Sequence, residues 1–278
     1  MNRKTLLLSL GLFVATSVCA QTMKIYKGDV LVKEYSAEEA DAVIFCEEEV
    51  PHNFVEIGGV KWATMNIGAT SVAGSPAECY GDYYAWGETK PRYTSLTITA
   101  QNNATVGSWT EEHPEGYSTN DYPDYTEDTL DAEHDAATKN WGSSWRMPTK
   151  AEFQALVTAC TGSTGIQHTE TIETSTPEGG IYWLTSSQNY LPEYQGVPGM
   201  LFIDKEDTTK RVFFPGAGYF YGDKLAIAGV TGFYWASEID PDGGRWGAYY
   251  MCFDPQSVSP ENSYLRCHGY TVRPVKNE

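Results

Sequence analysis

Apolar residues return at Phe153, Leu156, Val157 and Cys160, the i, i+3, i+4, i+7 spacing of one helix face. Thr149 and Glu152 set the start of that stripe as a capping box. The hydroxyl takes the N3 amide and the carboxylate reaches back to the N-cap amide. Pro148 disfavours a helical Met147, so the pattern predicts one clear helix beginning just after Thr149. Elsewhere the period is two. Residues 181–186, 200–203, 211–214, 218–221, 233–237 and 246–253 are apolar or alternating runs between turn residues, which predicts antiparallel hairpins. Residues 55–57 and 60–62 flank Gly58-Gly59, a hairpin signal. Residues 270–275 read as a closing strand, with Pro274 confining it to an edge or a strand end.

The first part of the chain carries a pattern of its own. Strands at 23–26 and 30–35 flank a Lys27-Gly28-Asp29 turn, followed by an expected helical turn at 37–40 and a strand at 42–45. Residues 21–46 are therefore read as a small β-rich unit, 47–53 as a charged, Pro-broken linker and 54–278 as the main domain. Two or three strands alone are marginal in water, so residues 22–46 are expected to dock on the main domain or on a surface-assembly partner. Between 94 and 138 periodicity fails, and Asp121, Asp124, Glu127, Asp128, Asp131, Glu133 and Asp135 crowd the stretch. A loop of that length in a compact domain points to function or motion.

Composition adds an address. Asn2-Arg3-Lys4, an apolar run from Leu6 to Val18, and Val18-Cys19-Ala20 ahead of Gln21 make a secretory signal peptide over residues 1–20. Lipid anchoring through Cys19 is the alternative, and no later run is apolar enough to span a bilayer. The formal charge of -18 becomes more negative once Arg3 and Lys4 leave with the leader, which opposes nucleic-acid binding. Cys46, Cys79, Cys160, Cys252 and Cys267 remain, an odd number. Cys160 reads as a buried small hydrophobe. Cys252 and Cys267 fall in strand-like runs at 249–253 and 264–268, joined by a Pro-containing loop, where a cross-strand disulfide is one option.

Several stretches together carry a family resemblance. They are Asn140-Trp141-Gly142-Ser143-Ser144-Trp145-Arg146-Met147-Pro148-Thr149, the preceding run from Leu130 to Ala137, Gly81-Asp82-Tyr83-Tyr84-Ala85-Trp86-Gly87-Glu88, Phe233-Tyr234-Trp235-Ala236-Ser237, and Gly269-Tyr270-Thr271-Val272-Arg273-Pro274-Val275. Across roughly residues 54 to 276 the chain resembles the Fibrobacter succinogenes major paralogous domain family. The resemblance implies an α+β, C-type-lectin-like domain on a secreted or surface-attached bacterial protein, related in architecture to the formylglycine-generating enzymes. It further implies that the terminal strands of the domain pair and that the long loops gather at the opposite pole. It brings no activity.

Candidate chemistry is weighed against that frame. Calcium is the candidate cofactor, since it wants clustered carboxylate oxygens, and Asp121, Asp124, Asp240 and Asp242 are the candidate ligands. A solvated acidic face explains the same residues. Asp131 and Asp135 read as a helix-turn charge pair with Arg146. Oxidase chemistry needs a close cysteine pair and none is present; His52, His113, His134, His168 and His268 show no ligand spacing. A contact surface is easier to argue. Glu238 to Trp246 is a polar loop between two aromatic strands, ending in Arg245 and Trp246, and Tyr219, Phe220 and Tyr221 form a second edge. Tyr221, Glu238, Asp240, Asp242, Arg245 and Trp246 are the expected ligand-binding residues, while Trp141, Trp145, Trp183 and Trp235 are assigned to the core. The expected function is noncatalytic recognition or adhesion, with a glycan or an extracellular protein as ligand. The alternatives are an accessory or tip subunit of a surface fibre and an enzyme on the same scaffold.

Overall fold

The computed structural model describes residues 22–27, 30–36, 52–94, 128–221, 224–242 and 247–278. The chain divides into two units, Met1–Glu49 and Val50–Glu278. In the first, β1 (Thr22–Lys27) and β2 (Val30–Ser36) pair antiparallel around the predicted turn, with Lys27 opposite Val30. The leader 1–20, the helical turn at 37–40 and the strand at 42–45 lie outside the described residues. Among the described residues no helix is long and apolar enough to cross a membrane.

The second unit is α+β, rich in strands and poor in helices. It opens with the hairpin of β3 (Phe54–Ile57) and β4 (Val60–Ala63). Gly58 makes the turn at positive φ, and a Cβ there would meet the Ala155 carbonyl oxygen at 2.7 Å. A short helix, Pro76–Cys79, and β5 (Tyr83–Tyr84) follow. Next come the helix Ala136–Trp141, β6 (Trp145–Arg146) and the helix Lys150–Thr161. The chain continues through β7 (Gln167–His168), β8 (Glu170–Thr171), β9 (Gly180–Leu184), β10 (Gly199–Ile203) and β11 (Arg211–Pro215). It ends with β12 (Tyr219–Tyr221), β13 (Lys224–Ala226), β14 (Gly232–Ile239), β15 (Gly247–Phe253), β16 (Ser257–Leu265), β17 (Tyr270–Thr271) and β18 (Val275–Lys276).

The predicted helix is where the spacing put it, and for the predicted reason. Thr149 Oγ1 accepts from Glu152 N at 3.1 Å, Thr149 N donates to Glu152 Oε2 at 2.7 Å, and Gly162 closes the other end in the left-handed region. Its buried face is Phe153, Leu156, Val157 and Cys160. That face packs into a core with Ile57, Trp62, Phe202, Phe214, Tyr234, Met251 and Phe253, in which Phe153 stacks on Trp62 at 5.4 Å.

Two strand predictions and one disulfide option need correction. The closing run 270–275 is two strands in different sheets: β17 sits between β5 and β14, while β18 sits between β4 and β6. Arg273 lies at the crossover and is wholly buried. Its Nε donates to Asn66 Oδ1 at 2.8 Å, Nη1 to Ala63 O at 2.9 Å and Nη2 to Phe213 O at 2.9 Å. The donors therefore pin two distant stretches, 63–66 and Phe213, to the terminal segment, and burial pulls the guanidinium down to about 10. The loop expected through Pro260 is strand instead. Tyr250 faces Asn262 and Cys252 faces Ser259, so Met251 stands opposite both Pro260 and Glu261. This is a β-bulge, and it lets a residue without an N–H sit inside a ladder. The option of a Cys252–Cys267 disulfide is also overturned: both thiols are free, Cys252 lying on β15 opposite Ser259 and Cys267 buried in the core beside Phe220.

The helix Ala136–Trp141 departs from its expected partners as well. Asp135 caps it by accepting from Thr138 N at 2.9 Å, and its other oxygen accepts from Met147 N at 2.8 Å. Asp131 bonds His134 and Arg146 forms its ion pair with Glu152, so of the expected pairing with Arg146 only a Coulombic attraction from Asp135 is present. Of the tryptophans assigned to the core, Trp145 and Trp235 are buried, whereas Trp141 and Trp183 are half-buried. Trp141 stacks flat on His52 at 3.5 Å. The helix Ala136–Trp141 spans only about 9 Å at 1.5 Å per residue, so Asp135 stands near the chain's entry to this unit and not at an opposite pole.

Candidate functional site: an aromatic sheet face

The six-stranded sheet runs β5-β17-β14-β15-β16-β7. The pleat sends alternate residues to opposite faces. On one face Tyr234, Ala236, Met251, Phe253 and Val258 meet the long helix. On the other lie Phe233 and Trp235 of β14, Ala248, Tyr250 and Cys252 of β15, and Asn262 and Tyr264 of β16. Register places them together: Phe233 is opposite Cys252, Trp235 opposite Tyr250, Tyr250 opposite Asn262, and Ala248 opposite Tyr264.

This second face changes character along its length. At one end Trp86, Leu130, Ala136, Ala137 and Met147 cover Trp235, Ile239 and Ala248. Beyond that cover Tyr219, Phe233 and Tyr250 are only half-buried, and Tyr264, level with Ala248 but on β16, and Tyr221 are 53% and 51% exposed. Tyr270 is the hub of this aromatic end. Only 2% exposed, it stacks on Trp235 at 4.1 Å and touches Tyr250 at 5.0 Å, Phe233 at 5.1 Å and Tyr219 at 5.9 Å. His268 carries the series outward, with its ring 4.9 Å from Tyr264, 5.3 Å from Tyr221 and 5.6 Å from Tyr219. Each half-exposed ring is thus held from behind or beside by another, which leaves it little rotamer freedom to lose on contact.

Apart from Lys224, opposite Tyr221 at the rim, the side chains that make up this surface are neutral. His268 Nδ1 lies 3.1 Å from the Leu265 carbonyl, which can only accept, so Nδ1 carries the proton. Burial, opposed by that bond, holds the imidazole below its ordinary value, so it is uncharged at neutral pH. Burial first, then the neighbouring Cys252 and Tyr264, pushes the Tyr250 phenol up to about 12. Burial, with Asp254 nearby, likewise pushes the Cys252 thiol up to about 12. A thiol held that high is a poor nucleophile at neutral pH. What the face offers is ring surface, phenolic hydroxyls and the Asn262 amide.

The expected ligand-binding residues separate on folding. Tyr221 joins the aromatic face. Glu238 does not: it belongs to β14, and its carboxylate accepts from Lys150 N at the start of the long helix, where the exposed N–H groups favour an anion. Burial raises its pKa all the same. Asp240 is engaged internally too, its Oδ1 accepting from Asp242 N at 3.1 Å and Tyr249 Oη at 3.3 Å, and its Oδ2 from Ser263 Oγ. The loop expected over 238–246 is accordingly shorter, because β14 continues to Ile239. Asp242 is exposed at its start, while Arg245 and Trp246 fall outside the described residues, as do Asp121 and Asp124. Among the described residues no group of three or more His, Cys, Asp or Glu side chains is placed to hold a metal ion.

Tyr250, Tyr264, Phe233, Tyr270 and His268 were not singled out by the sequence. The alternation in β14 and β15 put Phe233 with Trp235 and Tyr250 with Cys252, but joining the strands into one face required their register. Phe220, expected at the same edge as Tyr221, is buried and stacks on Tyr93 at 3.8 Å, as the alternation along β12 demands. Comparison of the chain with protein-family models, with curated proteins and with solved structures gives no match.

Proposed function

We propose that this chain is an exported, noncatalytic recognition module that binds a glycan or an extracellular protein through the aromatic end of the six-stranded sheet. The observation that carries the reading is the cluster around Tyr270, in which Tyr219, Phe233 and Tyr250 are half-buried and Tyr221 and Tyr264 lie open. Rigid aromatic rings with polar tips give large contact area at small entropic cost. Membership of the Fibrobacter succinogenes major paralogous domain family and a C-type-lectin-like fold belong to the same proposal. Their support is the residue resemblance together with β18 pairing to both β4 and β6, which ties the two ends of the unit together. Export rests on the leader-like residues 1–20.

The test is an array of glycans and extracellular proteins probed with the full chain and with Tyr264→Ala and Phe233→Ala. Binding lost in both variants, with melting temperature unchanged in Tyr264→Ala, is the expected result. Binding that survives both substitutions would remove the aromatic face from the function. A second reading, an assembly role, is favoured by one observation: β1 and β2 pair only with each other among the described residues, and two strands alone are marginal in water. Removing residues 21–53 should then abolish surface assembly and leave array binding intact.

A further inference from the structure

We infer that the aromatic face takes an uncharged polysaccharide chain, lying across several sugar residues, and neither a terminal acidic sugar nor a sulfated glycan. This rests on the recognition reading above and narrows it to one ligand chemistry.

The first argument is the makeup of the surface. Tyr219, Tyr221, Phe233, Tyr250, Asn262, Tyr264 and His268 carry no carboxylate, ammonium or guanidinium, and among the described residues of these strands the cation beside them is Lys224, at the rim opposite Tyr221. A carboxylate or sulfate on a sugar is recognised by cations, best by the fork of an arginine. The chain as a whole is strongly acidic, with a formal net charge of -18, so an anionic polymer approaches against the field of the whole protein. His268 supplies no compensating charge, being held neutral in its cage of rings.

The second argument is shape. Neighbouring rings lie between 4.9 and 5.8 Å apart from Tyr264 through His268, Tyr219 and Phe233 to Tyr250. His268 is itself buried, but the open Tyr264 and the half-open Phe233 stand at opposite ends of the ladder, level with Ala248 and Cys252, so the rings span more than a single sugar can cover. A pyranose ring has one face of C–H groups, and laying that face on an aromatic ring buries apolar surface and sets C–H dipoles against the negative π face. Its equatorial hydroxyls then meet polar groups at the edges, and here those are the tips of Tyr219, Tyr221 and Tyr264 and the Asn262 Oδ1, the Asn262 Nδ2 already donating to Ser259 O at 3.1 Å. A charge on the sugar adds desolvation cost and, away from Lys224 at the rim, meets no cation among the named residues.

The third argument concerns the metal. Calcium-bridged sugar recognition needs carboxylates at the sugar, and Asp240, the best-placed acid of the sequence reading, has both oxygens engaged by Tyr249, Ser263 and the Asp242 amide. Binding by ring contact should accordingly be indifferent to a chelator.

The experiment uses the full chain and polysaccharides matched in backbone: hydroxyethyl cellulose against carboxymethyl cellulose, and neutral galactan against polygalacturonate, each with calcium and with chelator. Neutral mannan, xyloglucan and dextran widen the neutral arm. Expected is retention by at least one neutral polymer, weaker retention by the charged member of a pair, no chelator effect, and about a tenfold loss in Tyr264→Ala that Tyr264→Phe largely restores. Tyr190→Ala, an exposed tyrosine remote in sequence from these strands, serves as the unchanged control. Preferential retention of the charged polymers, with the same loss in Tyr264→Ala, would overturn the inference and leave the recognition reading standing. Binding only to extracellular proteins through Tyr264 would do the same. Binding of any kind that Tyr264→Ala and Phe233→Ala leave untouched would overturn both, and absence of retention by every neutral polymer would overturn the inference.

Discussion

The two faces of the six-stranded sheet are built from the same strands and nearly the same residue types, yet they end in different states. Facing the long helix, Tyr234, Ala236, Met251 and Phe253 are closed over by Phe153, Leu156 and Val157, and little of any of them reaches water. Facing away, Trp235 and Tyr270 are just as deeply buried, but Phe233, Tyr250 and Tyr264 grade out to solvent. The helix is anchored on the first face by a capping box and by the Glu238 carboxylate at its first turn. The difference teaches that aromatic content does not mark a core. What marks it is whether a second element is held down over the rings, and here the apolar stripe of the helix does most of the holding while the polar groups at its start fix where it begins.

The comparison breaks most sharply at its closed face. Phe153→Ala should cost about 3–5 kcal/mol, the usual range for emptying an aromatic core position, read as a lower midpoint in denaturant. A loss below about 1 kcal/mol would mean that the helix does not seal this face. The helix anchor comes next. Thr149→Ala should cost about 1 kcal/mol through the lost cap. The anchor also has a pH signature. Burial works against the Glu152 charge, but its bonds to Arg146 and Thr149 outweigh it and hold the carboxyl below its ordinary 4.5. A carboxyl lowered on folding contributes stability that is present above 4.5 and is lost as pH falls through the folded value. Glu152→Gln should therefore flatten the acid limb of the stability profile. An unchanged limb would place the acid sensitivity elsewhere. The smallest effect belongs to the open face: Tyr264→Ala should change stability by no more than about 0.5 kcal/mol, since half of that side chain is already in water. A larger loss would make the aromatic end an ordinary piece of core.

Much of this was legible residue by residue. Thr149, Glu152 and the stripe from Phe153 to Cys160 announced the helix, because a cap and a helical period are local properties. The Gly58-Gly59 turn announced the first hairpin for a similar reason. The candidate site was far less legible. Tyr221 was named, but Glu238 and Asp240 looked like ligand residues only because the sequence hides which polar groups the fold will use. Glu238 is 88 positions from the amide it accepts from. Pro260 argued for a loop until the bulge opposite Met251 gave it a place in the ladder.

The sequence by itself determined where the long helix begins and which of its faces is buried, the first hairpin, and most of the strand runs of an acidic, aromatic-rich chain. Those follow from interactions within a few residues of chain. Only the tertiary structure decided which aromatics became core and which became surface. A ring's burial depends on cross-strand register and on what packs above it, and strands as far apart in the chain as β5, β14 and β17 share one sheet.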